Sequence, residues 1–532
     1  MSPAAAIRSI TKKCTVIVER ELKEMMNNQL KAGALLNYII ILMNVLVGLL
    51  YTPFMLRTMG QSEYGLYSLV ASVISYLTIL DLGLGNAVVR YTAKFRAEKK
   101  IEEQYEMFGM FFVMYIVIGF VALAAGSALY FNVENMFGAT MTALELDKAR
   151  IMMILLVFNL AFTFPMSIFG SIINAYEHFV FPRVINIIRV VLNTLVMICL
   201  LKMGYKAIAM VIVQTVFNMM TLILNYIYCR KKLHIRMYFR KFRWGFMKEV
   251  LIYSFWIFLN VIMDRVYWST GQFVLGAISG TIAVSVFAVA IQLQMMYMHF
   301  STAISTVFLP KVTGIVATGD DQKELSGLFI RTGRIQFIVM ALILSGFIVF
   351  GRQFIILWAG DAYEQAYVMC ILFFTSLIIP LIQNLGITIL QARNQMKFRS
   401  LLYIAIAAVA LVLQIIFAKR WGGIGCAIAI SGALLLGQGL IMNIYYAKVQ
   451  KIDIVLFWKE ILRMAAVPVL MTVVSLLLLR YVEIDTWARL GLCIAVFCLI
   501  YIPLFWKISM NDSERSLLTA PLRKLLARIR KV

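Results

Sequence analysis

Long apolar stretches alternate with short polar connections along the chain from residue 35 to residue 505. A helix that crosses about 30 Å of hydrocarbon needs roughly 20 apolar residues, because each residue advances about 1.5 Å. About 14 stretches satisfy this requirement; the first is Leu35 to Met55 and the last is Gly491 to Phe505. The pattern therefore predicts an all-α, polytopic membrane protein with about 14 transmembrane helices.

The predicted spans divide into two similar groups of six, followed by two further spans. Four residues of the first group recur in the second at one constant offset: Asn44, Val45, Tyr51 and Gly60 correspond to Asn260, Val261, Tyr267 and Gly276. Because six spans separate the copies, both units have the same orientation, and a pseudo-two-fold axis along the membrane normal can relate them. We expect two six-helix lobes that enclose a cavity.

Polar segments mark the expected boundaries between these parts. The first apolar stretch follows a mixed, charged leader, which is typical of an amphipathic surface helix and not of a cleavable signal peptide. The predicted divisions are a leader at 1–31, an N-terminal lobe at 32–229, a basic loop at 230–249, a C-terminal lobe at 250–446, two further spans at 447–508 and a basic tail at 509–532.

Charge is strongly unbalanced, with 50 Lys plus Arg against 26 Asp plus Glu and a formal net charge of +24. With both termini in the cytoplasm, most of the basic residues fall in cytoplasmic loops, as the positive-inside rule requires. The densest cluster, between Arg230 and Arg243, is then a contact with anionic lipid. The high charge therefore needs no nucleic-acid partner, and we expect a multi-pass protein of the inner, cytoplasmic membrane.

Motifs for catalysis are absent from the sequence. There is no phosphate-binding Gly-x-x-x-x-Gly-Lys-[Ser/Thr] loop and no His-Glu-x-x-His pair, and the three histidines are far apart. The seven cysteines are scattered through apolar stretches and suggest no disulfide framework. We expect a carrier and not an enzyme, with no cofactor and no bound metal.

Ionisable residues inside predicted spans are candidates for function, because a charge in hydrocarbon is costly unless it faces a cavity or a partner. Asp81 lies in the second span, next to Gly83 and Gly85, and can bind a cation, carry a proton or cap a helix contact. Asp264, in the seventh span, is a second candidate for ion coupling. The coupling ion would be Na⁺ or H⁺.

Arginines are candidates for binding an anionic substrate, since the guanidinium group matches phosphate oxygens. Arg265, deep in the seventh span, is the first choice, against a structural interhelical pair. Arg189 in the fifth span and Arg57 at the end of the first are as compatible with anchoring at the interface as with function.

Amides form the remaining candidates for substrate binding. They are Asn44, Asn260, Gln383 and Asn384. Amides in membrane helices often bond across helices, but they also suit recognition of sugar hydroxyls.

Residues 52–91 resemble the opening of polysaccharide flippases in the multidrug/oligosaccharidyl-lipid/polysaccharide (MOP) exporter superfamily. In that family the first span ends in an arginine followed by glycine and Tyr-Gly-Leu, and the second span carries Asp-Leu-Gly-Leu. The matching positions here are Arg57, Gly60, 64–66 and 81–84. Weaker resemblance occurs at 173–193 and 389–398. The leader is longer than is typical of the family.

The resemblance implies two lobes that open alternately to the two sides of the membrane. It also implies a polyprenyl-diphosphate-linked oligosaccharide as substrate, flipped for O-antigen-type or other lipopolysaccharide and envelope polysaccharide export, with envelope polysaccharide-synthesis proteins as possible partners. Two alternatives stay open: an ion-coupled multidrug or small-molecule antiporter of the same superfamily, and a non-transporting membrane scaffold for envelope synthesis.

Overall fold

The computed structural model describes residues 29, 32–33, 35–240, 242–305, 312, 314–316, 321–393, 395–516 and 519, without the side chains of 253, 256, 257, 260 and 303. These residues are almost entirely helical and contain no β-strand. The expectation of an all-α protein is confirmed. The predicted leader helix falls outside these residues, apart from Gln29.

The first half of the chain consists of helices joined by short connections. They are α1 (Leu35–Met59), α2 (Gln61–Leu77), α3 (Leu84–Ala97), α4 (Ile101–Phe131), α5 (Val133–Phe137), α6 (Ala143–Ala175), α7 (Val180–Lys202) and α8 (Ala207–Lys231). A 3₁₀ turn, Thr78–Asp81, joins α2 to α3. Thr142 caps the start of α6. Its side-chain oxygen accepts a hydrogen bond from the Glu145 backbone N–H, and the Glu145 carboxylate accepts one from the Thr142 backbone N–H.

The second half begins with α9 (Trp244–Trp268) and α10 (Thr270–Ser305). It continues with α11 (Gln322–Ala359), α12 (Ala366–Ile382), α13 (Asn384–Ala392), α14 (Met396–Leu434), a π-helical segment (Leu435–Ile441), α15 (Met442–Lys448), α16 (Ile454–Leu478) and α17 (Trp487–Ile508).

Within the described residues, eleven helices are long and apolar enough to cross a membrane, and the bent pair α12 and α13 makes a twelfth span. Two of the eleven, Val261–Thr302 and Met396–Lys448, contain a glycine with non-helical backbone, at Gly280 and Gly422. Each glycine lies where the sequence predicts one span to end and the next to begin. Dividing both helices there gives the fourteen predicted spans.

The chain forms two compact units. The first comprises Met1–Met59 and Val70–Ile262, and the second comprises Gly60–Leu69 and Met263–Val532. In the first unit α3, α4 and α6 pack around a core that includes Phe108 and Phe164. Small residues permit this packing, because a Cβ at Gly119 of α4 would lie 2.9 Å from the Ala161 carbonyl oxygen of α6.

In the second unit α11, α16 and α17 surround a core that includes Phe329 and Phe457. The two glycines of the predicted repeat differ in conformation: Gly60 has a φ of +83° at the end of α1, whereas Gly276 lies within α10. The predicted lobe boundaries and the repeat stay predictions.

Candidate functional site

Asp81 stands where a membrane span is interrupted. The apolar segment Gln61–Ala97 breaks at Leu82 and Gly83, whose φ angles are +53° and +72°. Left-handed backbone costs a leucine about 1–2 kcal/mol, and glycine adopts it freely. A broken span leaves backbone groups without helical partners, and such groups are available for ions or substrate.

The Asp81 carboxylate lies beside one hydroxyl group in the first unit, and two further hydroxyl groups are close to that neighbour. The carboxylate faces the Gly83 backbone N–H and lies beside the Tyr115 hydroxyl of α4. Ser167 of α6 is a neighbour of the same Tyr115 hydroxyl. Ser171 is close by, since its Oγ is 3.1 Å from the Cβ position that Gly85 would have. A carboxylate with several hydroxyl oxygens suits a hard cation or a proton.

Asp264 and Arg265 come together with a third charged residue in the second unit. The Asp264 carboxylate is exposed and interacts electrostatically with Arg265 beside it in α9 and with Arg399 in the first turn of α14. Both arginines are partly buried, and the Nε atom of each is buried without a hydrogen-bond partner. Two guanidinium groups beside one carboxylate, each with an unpartnered Nε, have the chemistry that suits a polyvalent anion.

Aromatic rings hold this charged group in place. The Arg399 guanidinium lies 4.2 Å from the centroid of the Tyr403 ring, one helical turn further along α14. The Tyr403 ring in turn contacts the buried Tyr267 ring edge to face, with centroids 6.5 Å apart. Cation–π stacking holds the Arg399 guanidinium group through its flat face, and its Nε donor has no hydrogen-bond partner.

Arg399 was missed by the sequence reasoning because it lies at the edge of a predicted span, among other basic residues. Its spacing from Tyr403, which places the two on one helix face, is a weak signal that many helices share.

Arg189 lies on α7 in the first unit. Its Nη2 donates to Asn186 Oδ1 at 2.9 Å, and Asn193 one turn further has a buried Oδ1 without a partner. The spacing of three and four residues places these side chains on one face of the helix. Arg189 thus belongs to a polar stripe of a membrane helix, separate in sequence and in unit from Arg265.

The remaining sequence candidates lie apart from these groups. Asn44 and Arg57 are exposed on α1, and the side chain of Asn260 is outside the described part of the chain. Gln383 Nε2 donates to Asn443 Oδ1 at 2.7 Å, and Asn384 Nδ2 donates to Ser305 Oγ at 3.2 Å. These two amides therefore make interhelical hydrogen bonds, which is one of the two roles considered for them.

A family model described as polysaccharide biosynthesis protein matches residues 30–316, which is more than half of the chain. The chain belongs to the polysaccharide biosynthesis protein family. A relative in Bacillus subtilis (strain 168), the uncharacterized membrane protein EpsK, is 21% identical over 510 residues, covering 91% of this chain and 96% of EpsK.

Solved structures of transporters share the fold of this family member. The lipid II flippase MurJ in an inward closed conformation has a TM-score of 0.67 and 17% identity, over 89% of this chain and 98% of MurJ. An inward-facing multidrug resistance transporter of the MATE family, in the MOP superfamily, has a TM-score of 0.61 and 12% identity, over 79% of this chain and 99% of the transporter. The protein is therefore a multi-pass membrane protein with a MurJ-like and MATE-like fold.

Proposed function

We propose that the protein flips a polyprenyl-diphosphate-linked oligosaccharide across the cytoplasmic membrane by alternating access, for O-antigen-type or other envelope polysaccharide export. Family membership and the fold shared with a lipid II flippase support this function. The choice of an anionic lipid-linked substrate rests on one observation, the two arginines with unpartnered Nε donors beside Asp264.

In this mechanism Arg265 and Arg399 hold the diphosphate. Phosphate oxygens accept hydrogen bonds from the guanidinium groups and relieve their desolvation within the membrane. Arg399 adds to the positive potential of the α14 N-terminus, which itself favours an anion. Asp264 offsets one of the two positive charges when the diphosphate is absent, so that the empty site carries a net charge of +1 and not +2.

The other sequence candidates have secondary roles in the proposal. Asp81 binds Na⁺ or H⁺ at the interrupted span and couples it to transport. Three further residues contact the diphosphate or the sugars of the substrate while it crosses the membrane. They are Arg189, Arg57 and Asn44. Asn260, Gln383 and Asn384 complete the proposed set, with Gln383 and Asn384 acting through the helix contacts that they hold together. Transport of this kind needs no covalent chemistry by the protein.

The experiment is complementation of a strain that lacks its own flippase, with lipid-linked intermediates identified by mass spectrometry. Arg265→Ala and Arg399→Ala should each lower export about 10- to 100-fold, because a hydrogen bond to a charged group contributes about 1.5–3 kcal/mol. Arg265→Lys should restore export only in part, since a single ammonium cannot form a two-point contact.

Arg489→Ala is the matched control, because Arg489 is exposed and its guanidinium group binds only local partners, the Asp485 carboxylate at 2.8 Å and the Glu483 carbonyl oxygen at 3.5 Å. It should leave export unchanged. Normal surface polysaccharide in Arg265→Ala cells with wild-type amounts of membrane protein would refute the phosphate role. Efflux of a cationic dye, without any effect on glycan export, would favour the small-molecule antiporter.

A further inference from the structure

The connection between α8 and α9 lies across the side of α4. We call residues 232–244 the strap, which ends on the first residue of α9; residue 241 is not among the described residues. Tyr238 N donates to the Tyr105 carbonyl oxygen of α4 at 3.0 Å, and the two rings meet edge to face at 5.6 Å. The contact is close because α4 has a glycine there: a Cβ at Gly109 would lie 2.9 Å from the Tyr238 carbonyl carbon.

Both ends of the strap are held in the first unit. At its start the Ile235 side chain is buried, and the Arg230 guanidinium donates to the Ile235 carbonyl oxygen at 3.2 Å. At its end Arg243 forms ion pairs with Glu106 at 2.9 Å and Glu103 at 3.4 Å, both on α4. The strap therefore has a defined inner face, toward α4, and a defined outer face.

The depth of the strap follows from the length of α4 when that helix is centred in the bilayer. At about 1.5 Å per residue α4 is roughly 46 Å long, so a helix centred in about 30 Å of hydrocarbon extends about 8 Å beyond it at each end. Tyr105 lies about 6 Å from the start of the helix, and Phe112, which contacts Phe239 of the strap at 6.3 Å, lies about 16 Å from it. In that position the Phe112 ring that Phe239 contacts lies inside the edge of the hydrocarbon, and Glu103 and Glu106, which pair with Arg243, lie on the headgroup side of that edge.

The outer face of the strap combines aromatic and basic side chains. Phe239 is 63% exposed and Trp244 76% exposed, and Phe242 contacts Trp244 with centroids 4.7 Å apart and ring planes tilted by 60°. Arg236, which precedes Phe239, and Arg240, which follows it, are also exposed. Exposed aromatic rings of this size are unfavourable in water, whereas at a membrane interface rings bury their apolar parts and arginines meet phosphates.

We propose that the outer face of the strap is a binding site for an anionic glycerophospholipid of the bilayer. Arg236 and Arg240 contact the headgroup phosphate, and Phe239 and Trp244 insert beside the acyl chains. A bilayer lipid fits better than an acidic protein, because the rings lie at the depth where hydrocarbon begins. The site shares no residue with the proposed transport site, and the proposal does not depend on the transported substrate.

The test uses the full-length protein in detergent, titrated with palmitoyl-oleoyl-phosphatidylglycerol and followed by native mass spectrometry. Arg236→Gln with Arg240→Gln should weaken retention of this lipid about 10- to 30-fold, since each basic residue near the surface contributes about 1 kcal/mol. Retention of phosphatidylcholine should change little. The control pair, Lys419→Gln with Arg420→Gln, removes two exposed charges elsewhere and should retain phosphatidylglycerol as the wild type does.

Insertion of the rings is measured separately in proteoliposomes. Trp244→Phe identifies the part of the fluorescence that comes from Trp244, and brominated phospholipid should quench that part while aqueous iodide should not. Equal retention of phosphatidylglycerol by the wild type and the strap variant would overturn the proposal. Quenching of Trp244 by iodide alone, or loss of an acidic protein and not of lipid in the strap variant, would overturn it as well.

Discussion

Arg334 of α11 forms a bidentate ion pair with Glu514, which lies six residues beyond the end of α17. The Nε–Oε1 distance is 2.5 Å and the Nη2–Oε2 distance is 3.0 Å. Arg334 is 5% exposed and Glu514 2% exposed. Glu460 of α16 accepts from the remaining Nη1 at 2.6 Å. This pair fastens the start of the predicted tail to two membrane helices.

Removing one member of that pair should destabilise the protein strongly. Glu514→Gln leaves the buried Arg334 charge only partly compensated, and the expected loss is about 3 kcal/mol of unfolding free energy. The measurement is thermal or denaturant unfolding of the protein in detergent. Glu364→Gln is the control, because Glu364 pairs with Arg352 at an exposed site and should change stability by less than about 1 kcal/mol.

Gly109→Ala should detach the strap from α4. The added Cβ has no room beside the Tyr238 backbone, and backbone cannot give way as a flexible side chain does. We expect faster trypsin cleavage after Arg236 and Arg240. Gly245→Ala should leave the cleavage rate as it is, since nothing lies within 4 Å of its Cβ position. Unchanged cleavage in Gly109→Ala would mean that the strap is held by its ends alone.

Gly83→Ala should disturb the interrupted span at Asp81. Alanine at a φ of +72° costs about 1 kcal/mol and favours a continuous helix instead. We expect lower stability and lower transport together in purified, reconstituted protein. Gly432→Ala, at an unobstructed helical position, should leave both intact. Asp81→Asn separates coupling from structure: transport with wild-type pH and Na⁺ dependence in that variant would remove Asp81 from the coupling mechanism.

His178, in the connection between α6 and α7, should make stability depend on pH. Its Nδ1 lies 2.8 Å from the Tyr228 hydroxyl, and burial, followed by the charges of Lys232 and Arg96, lowers the pKa of the imidazole. The folded state therefore favours the neutral ring. The neutral imidazole therefore adds to the free energy of unfolding. This stabilisation is fully present above the unfolded pKa of about 6.5, and it is lost as the pH falls through the lower pKa of the folded state.

The measurement for His178 is the melting temperature between about pH 7.5 and pH 5. The wild type should lose more stability on acidification than His178→Gln, which cannot gain a proton. Parallel curves for the two proteins would show that His178 is equally easy to protonate in the folded and unfolded chains.

Membrane spans are well predicted from this sequence, and contacts are not. The fourteen apolar stretches coincide with helices, and two glycines, Gly280 and Gly422, divide the longest ones where the sequence does. Asp81, Asp264 and Arg265 attract attention as charges within apolar stretches. Arg399 does not stand out in the sequence. An arginine at the end of a span extends its charged group to the polar interface at little cost in free energy, so such residues are common.

The sequence by itself determines that the protein crosses a membrane many times and where each helix lies, because hydrocarbon thickness sets the length and composition of a span regardless of its neighbours. Only the tertiary structure decides which side chains meet. Arg399 reaches Asp264, Glu514 reaches Arg334 and the strap lies on Gly109. These contacts depend on how helices distant in sequence pack together. The local composition of a segment does not predict that packing.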